Sequence, residues 1–274
     1  MTIVSWNIEG ILSQSDFDAL VCAVGTPDLL CLQEVRVRSS DAVATRAMES
    51  VLGGYDCYHS LNRDFRNASF RGGRAYGVAT YCRRDLRLRA GYVPEWDREG
   101  RMVVTRFANV TVVNVYAVNG TSKPYFDHSL GRIEGDRHAF KRRFQSMVFE
   151  HAAGLGDSVV LAGDWNVSQE ELDTHPRLRT EAPHARARSE FRDLLQASNL
   201  VDVYRRIRPR ERAYTWFNRR SRRLDAARVD FFLISNDLLP LATSVRILDD
   251  PIFRVRTDHA PIELTLAWRC SVEG

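Results

Sequence analysis

Short apolar runs punctuate the chain at residues 3–6, 29–32, 77–82, 103–107, 110–116, 158–162, 229–235 and 262–268, most of them rich in β-branched side chains. Runs of this length, bounded by polar or turn-forming residues, predict strands. Between them the spacing changes. Residues 16–24, 41–52, 134–153 and 189–197 predict helices, with Phe140, Phe144, Met147 and Val148 marking the apolar stripe of the third and Ser189 as N-cap of the fourth. Strands and helices alternate from end to end, which is an α/β pattern. Only Ala108 and Asn109 separate the runs at 103–107 and 110–116, so a hairpin is expected there, and mixed rather than purely parallel sheets. No internal repeat, low-complexity linker or break in composition divides the sequence, and residues 1–274 read as one domain.

Of the 274 residues, 44% are hydrophobic and 27% charged, ordinary proportions for a chain able to bury a large core. The formal net charge of +4 is mild, yet only Lys123 and Lys141 of the 39 basic residues are lysine. Arginine offers a planar fork of donors suited to phosphate, although such a skew also follows from genomic base composition. Position is therefore more informative than number. Residues 62–74, 119–135 and 205–223 read as surface loops able to reach a substrate. The first carries Arg63, Arg66, Arg71 and Arg74 around Phe65 and Phe70; the third carries Arg205, Arg206, Arg208, Arg210, Arg212, Arg219, Arg220, Arg222 and Arg223 around Tyr214, Trp216 and Phe217. Basic side chains interleaved with aromatics suit a polyanion with stackable bases, whereas taken alone each stretch reads as a solvated charged loop.

Cys22, Cys31, Cys57, Cys82 and Cys270 are odd in number and lack the close spacing that zinc requires, so they read as reduced thiols of a cytosolic protein. The chain enters a predicted strand at Thr2 without a basic leader, and no stretch approaches ~18 apolar residues. Neither secretion nor membrane insertion is expected. The expected location is the cytoplasm, at the nucleoid if the host is bacterial.

Several apolar runs end in polar blocks: Trp6-Asn7, Gln33-Glu34, Gly163-Asp164-Trp165-Asn166, Arg228-Val229-Asp230 and Thr257-Asp258-His259. Residues far apart in sequence can meet at one edge of a sheet, and carboxylates, amides and one histidine are what metal-assisted hydrolysis of a phosphate ester requires. Asn7, Glu34 and Asp258 would supply the hard oxygen ligands that Mg²⁺ or Mn²⁺ takes. A lone glutamate at a strand end is more often a surface residue. Asp164 and Asn166 stand two apart, so in an extended segment both side chains point the same way, one to take a proton from water and one to hold it; an Asx turn is the alternative. A carboxylate at Asp230 bonded to His259 would fix the imidazole tautomer and raise its pKa, keeping positive charge beside a phosphate, although such a pair can also be purely structural.

Taken together, Ser-Trp-Asn-Ile-Glu-Gly at 5–10, Leu-Gln-Glu at 32–34, Tyr-Gly-Val-Ala-Thr-Tyr-Cys at 76–82, Asn-Val-Tyr at 114–116, Gly-Asp-Trp-Asn-Val-Ser at 163–168, Tyr-Thr-Trp-Phe at 214–217, Arg-Val-Asp at 228–230 and Thr-Asp-His-Ala-Pro at 257–261 resemble the exonuclease/endonuclease/phosphatase superfamily. Within it the chain is most similar to the exonuclease III class of abasic-site endonucleases. The resemblance implies a DNase I-like, four-layered α/β sandwich with two mixed sheets face to face and helices outside. It implies metal binding at Glu34, assisted by Asn7 and Asp258 with Glu9 beside them. It also implies water activation at Asp164 with help from Asn166, phosphate contacts at Tyr116 and His259, and orientation of His259 by Asp230. The implied activity is divalent-metal-dependent hydrolysis of damaged double-stranded DNA, by a monomer, 5′ to abasic sites and leaving a 3′ hydroxyl, with 3′ exonuclease activity, in base excision repair.

Trp216 matches an aromatic that lines the pocket for the extruded baseless sugar, and Val229, Asn119, Arg71 and Arg74 are the further candidates for substrate contact. The chain departs from the family's pattern at Ala227 and Val229, where the wall is usually larger, at Glu9, where Asp or Asn is more usual, and in the longer stretch 119–135. A roomier pocket would admit a base-bearing nucleotide. A less specific DNA or RNA endonuclease, a 3′-5′ exonuclease, a small-molecule or lipid phosphoesterase and a non-catalytic nucleic-acid-binding regulator are the alternatives.

Overall fold

The computed structural model describes residues 1–67, 76–156, 158–176, 178, 180–219 and 225–268. Numbering elements in chain order, the first sheet contains β1 (Thr2–Asn7), β2 (Leu29–Gln33), β3 (Tyr55–Leu61), β4 (Gly77–Arg83), β15 (Ala242–Ile247) and β16 (Ile262–Leu266), in the order β15-β16-β1-β2-β4-β3. The second contains β5 (Ala90–Tyr92), β6 (Met102–Arg106), β7 (Val110–Tyr116), β10 (Ser158–Asp164), β11 (Leu200–Asp202) and β14 (Asp230–Ser235), in the order β11-β14-β10-β7-β6-β5. In each sheet one pair is parallel, β1 with β2 and β7 with β10, and the remaining neighbours are antiparallel. The sheets are mixed, as expected. Two hairpins lie outside them: β8 (Pro124–Asp127) with β9 (Arg132–Asp136), and β12 (Trp216–Phe217) with β13 (Ala226–Ala227).

The period of two along each strand divides the core into layers. Ile3 and Cys31 from the first sheet meet Val110, Val112, Val160, Ala162, Phe232 and Ile234 from the second. Their neighbours point outward. Val4, Trp6, Leu30 and Leu32 pack with Leu20 of α1 (Gln14–Val24) and Met48 of α2 (Ala42–Ser50). Val159, Leu161, Phe231 and Leu233 pack with Phe144 and Val148 of α3 (Arg137–Ala153) and Phe191 of α4 (Ala182–Ala197). The four layers are therefore helices, sheet, sheet, helices, the expected α/β sandwich. Two short helices, α5 (Val203–Ile207) and α6 (Pro251–Arg256), fill the connections.

One polar seam crosses the apolar space between the sheets. Gln33 Nε2 donates to Asn114 Oδ1 at 2.8 Å and to Ser5 Oγ at 3.0 Å, while Asn114 Nδ2 donates to Ala79 O at 3.0 Å and Thr80 Oγ1 at 3.1 Å, all buried. Directional bonds of this kind fix the relative position of two faces that hydrophobic contact alone leaves free to slide.

Several sequence expectations are corrected. The fourth helix begins at Ala182, not at 189; Pro183 stands in its first turn, and Ser189 lies mid-helix rather than capping it. The third begins at Arg137, because residues 132–136 form β9 and Asp136 caps the helix by accepting from Ala139 N. The stretch 119–135 is in large part the β8–β9 hairpin rather than a loop. Arg205, expected on a surface loop, lies in α5 and is buried, ion-paired with Asp173. Arg71, Arg74, Arg220, Arg222 and Arg223 lie outside the described residues.

Candidate active site

Strand register delivers the polar blocks to one edge. Asn7 stands opposite Gln33 at the ends of β1 and β2. On the other sheet Tyr116, Asp164 and Asp230 stand side by side across β7, β10 and β14. Gly163 permits that register, since a Cβ there would lie 1.8 Å from Val115 O, and its φ of 153° disfavours other residues. Segment 257–261, leading into β16, adds Asp258 and His259. Tyr116, Asp164, Asp258 and His259, with Glu9, Glu34, Tyr76, Asn119, Asn166, Trp216 and Val229, line a recess of about 170 Å³, and Asn7 and Asp230 stand behind it, bonded to Asp164 and His259.

Among the described residues four non-glycine positions have positive φ, and three of them, Glu9 at 49°, Glu34 at 52° and Asn166 at 52°, line this recess. Left-handed backbone at non-glycine residues is costly and persists where the surroundings over-determine it. Asn166 shows how. Its backbone N donates to Asp164 Oδ1 at 2.8 Å, its Nδ2 to Ala117 O at 2.9 Å, and its carbonyl accepts from the buried Lys141 Nζ at 2.6 Å. Asp164 and Asn166 thus meet through an Asx turn, and the expectation of an extended segment is corrected.

Asp164 Oδ2 also accepts from Asn7 Nδ2 at 3.0 Å and lies 4.0 Å from His259 Nε2. Burial raises the pKa of Asp164, Asp230 raises it further and His259 opposes both, leaving it at about 7. For His259 burial disfavours the charge, but Asp230, bonded to Nδ1 at 2.8 Å, outweighs burial with help from Asp164 and Asp258, pushing the imidazole up to about 10. At neutral pH the imidazolium carries both N–H protons, with Nε2 facing the recess. Trp6 Nε1 bonds His259 O at 3.1 Å, and Thr215 Oγ1 receives the backbone N–H groups of Val229 and Asp230, each at 3.0 Å.

Glu34 Oε1 accepts from Tyr116 OH at 2.7 Å, and burial together with Glu34 holds the tyrosine pKa well above its ordinary value, so the phenol remains a neutral donor. Arg36 Nη2 donates to Glu9 Oε1 at 2.6 Å and to Glu34 Oε2 at 3.4 Å. Asp258 is held by Trp216, whose Nε1 lies 3.0 Å from Oδ2.

Asp164, Asp230 and His259 offer donor atoms within 4.8 Å of one another. A protonated His259 has no lone pair to give, so this group is better described as an internal ion pair than as a cation cage. The oxygens that suit a hard cation belong to Glu34, Asp258 and Glu9, with Asn7 Oδ1 accepting from Glu9 N at 3.2 Å. Glu9 and Glu34 pair with Arg36, and Asp164, Asp230 and Asp258 with His259; five carboxylates set against these two cations fit Mg²⁺ or Mn²⁺.

Every described candidate from the sequence reaches this edge: Asn7, Glu9, Glu34, Tyr116, Asn119, Asp164, Asn166, Trp216, Val229, Asp230, Asp258 and His259. Ala227 does not line the recess; it is buried in β13, paired with Trp216. Tyr76, Arg36, Lys141 and Thr215 were not singled out. Arg36, two residues beyond Glu34, was within reach of a charge-pairing argument; Lys141 was not, since nothing in a helix sequence marks a lysine as buried.

A family model for the endonuclease/exonuclease/phosphatase family matches residues 4–259. The chain is 26% identical to an exodeoxyribonuclease of Bacillus subtilis over 97% of its own length and 99% of the relative's. It is 28% identical to the DNA repair nuclease APEX1 of Danio rerio, over 97% and 82%. The solved structure of an AP endonuclease from Archaeoglobus fulgidus shares the fold, with a TM-score of 0.73 at 21% identity, covering 98% of this chain and 100% of that one. With a match that runs from β1 to His259, the chain belongs to the endonuclease/exonuclease/phosphatase family.

Proposed function

We propose that the chain is a divalent-cation-dependent phosphodiesterase of DNA, cleaving 5′ to abasic sites with 3′ exonuclease activity, as a monomer, in the repair of damaged duplexes. The observation that carries this reading is the meeting of Asp164, Glu34, Asp258 and His259, the last bonded to Asp230, in one recess at the edge of the sandwich. The names of the Bacillus and zebrafish relatives support DNA as substrate. Among the described residues no helix is long and apolar enough to cross a membrane, and Cys22, Cys31, Cys57 and Cys82 are free thiols. We place the protein in the cytoplasm, at the nucleoid in a bacterial host.

Glu34 and Asp258, with Asn7 and Glu9, would hold Mg²⁺ or Mn²⁺, which supplies Lewis-acid neutralisation of phosphate charge. Asp164, aligned by Asn7 and Asn166, takes a proton from the attacking water; its raised pKa makes it a competent base near neutrality. His259 presents its Nε2 proton to a phosphoryl oxygen and stabilises the charge that accumulates there, while Asp230 fixes the ring. Tyr116 holds Glu34 with a neutral hydroxyl. Trp216 and Val229 form the apolar side of the recess for a sugar, and Asn119 stands exposed at its rim.

Cleavage of matched labelled duplexes carrying an abasic analogue, a normal base or a recessed 3′ end, in Mg²⁺ and in EDTA, tests this reading. Metal-dependent nicking at the abasic position is expected. Equal cutting at a normal base would instead favour a less specific nuclease, the reading to which the small side chain of Val229 lends weight, and no cutting of any duplex would overturn both.

A further inference from the structure

Trp216 touches the recess twice, with different parts of one side chain. Its ring contributes to the lining, and its indole Nε1 donates to Asp258 Oδ2 at 3.0 Å. The main chain reinforces the link. Phe217 N donates to Asp258 O at 2.9 Å, and Trp216 forms an antiparallel bridge with His259. On its other side Trp216 pairs with Ala227 of β13. The two-residue strand is therefore clamped between β13 and the 258–259 segment, which fixes the backbone from which the indole reaches Asp258.

Asp258, its side chain 30% accessible, is partly exposed, as Glu9 and Glu34 are, where the Asp164 and Asp230 side chains are nearly closed off. A carboxylate so placed rotates unless one oxygen is tethered. With Oδ2 engaged by the indole, Oδ1 is the oxygen left toward the recess, 3.8 Å from His259 Nε2. We infer that Trp216 is a positioning residue of the cation site: its indole N–H fixes Asp258 for Mg²⁺ or Mn²⁺, in addition to any contact its ring makes with substrate. The inference rests on Asp258 being a cation ligand, as proposed above. Donors to a ligating carboxylate set its orientation and basicity, and losing such a partner typically costs about 10–100-fold in metal affinity.

Phenylalanine keeps an aromatic ring but has no N–H, and benzothienylalanine incorporated at position 216 keeps the full bicyclic shape while replacing only the N–H by sulfur. Mn²⁺ binding to the full chain without DNA, read from the electron paramagnetic resonance signal of free Mn²⁺, is compared for wild type, W216F, the benzothienylalanine protein, D258N and the W216F/D258N double variant. We expect about tenfold weaker binding in both Trp216 replacements, at least as large a loss in D258N, and no further loss in the double variant. Wild-type affinity in the benzothienylalanine protein, with D258N impaired, overturns the inference and leaves Asp258 as a ligand. An equal loss from W216F in the D258N background overturns it too, because the tryptophan would then act by packing. Unimpaired binding in D258N removes the inference together with the ligand role of Asp258.

Discussion

On the proposed mechanism, proton occupancy at Asp164 and His259 sets the pH window of the reaction. Asp164 must be ionised to accept a proton and its pKa is raised, so kcat/KM should rise with pH above the ordinary carboxylate range; His259 must stay protonated to donate and its pKa is raised too, so the fall should come in the alkaline range, above that of a free imidazole. In His259→Gln the acidic limb should move to higher pH, because the imidazolium that lowers the Asp164 pKa is gone, and the alkaline limb should disappear; an unchanged alkaline limb would contradict this assignment. Stability follows the same groups. The folded pKa of His259 lies above its unfolded value of 6.5, so its stabilising contribution is complete below 6.5 and is lost as pH climbs through about 10. In EDTA the melting temperature should therefore decline across that interval, and less steeply in His259→Gln. Glu34→Gln keeps an acceptor for Tyr116 while discarding the charge, so turnover should fall on the order of 10²–10³-fold, the usual cost of removing a charge-stabilising group, with the melting temperature little changed. Near-wild-type turnover would remove Glu34 from the mechanism.

Among the elements, the central strands were legible because their burial shows in the sequence. β7 and β10 are covered on both faces and read as continuous apolar runs, and their polar ends announced the site. β3 was not legible: as the last strand of its sheet it runs Tyr-Asp-Cys-Tyr-His-Ser-Leu, with partly exposed positions in the middle and no sustained alternation. The first half of α4 was hidden for a different reason, since Ala-Pro-His-Ala-Arg-Ala-Arg exposes nearly everything but Ala187 and carries no apolar stripe. Tertiary contacts, not local preference, decide such segments. α3 is the instructive case, because a correct prediction of its type left its functional contact unseen. Lys141, 1% exposed, reaches from α3 to the Asn166 carbonyl and so supports the strained turn that carries Asp164. Lys141→Met preserves helix propensity and length but leaves that carbonyl without its charged donor; a loss of about 1–3 kcal/mol in urea unfolding is expected, with kcat falling more than KM rises. A stability loss with intact kcat would make the lysine a core residue only.

On the scale of the whole molecule, the recess belongs to neither sheet. Asn7 and Glu34 come from the ends of β1 and β2 in one, Tyr116, Asp164 and Asp230 from β7, β10 and β14 in the other, and the bonds from Tyr116 to Glu34 and from Asn7 to Asp164 cross the gap. On the proposed mechanism, alignment of two faces across an apolar core is therefore a catalytic requirement. The Gln33–Asn114 seam lies next to that edge: Gln33 precedes Glu34, and Asn114 is two residues before Tyr116 on the same strand. A hydrophobic interface tolerates small slips because its energy depends on area rather than direction, whereas these amide bonds do not. Asn114→Ala removes one acceptor of Gln33 Nε2, which keeps Ser5 Oγ and Cys31 O, and the donor to Ala79 and Thr80, an expected loss of about 1–3 kcal/mol in all. Chemical denaturation should show that loss, and the double variant Gln33→Ala/Asn114→Ala should be destabilised by less than the sum of the two single changes, because each alone already breaks the shared bond. If the seam also holds the two halves of the site in register, Asn114→Ala should lower kcat well beyond its effect on KM at temperatures where the variant is fully folded. Full kcat in a folded Asn114→Ala protein would mean that apolar packing alone keeps the sheets aligned, and that the seam serves stability without serving the site.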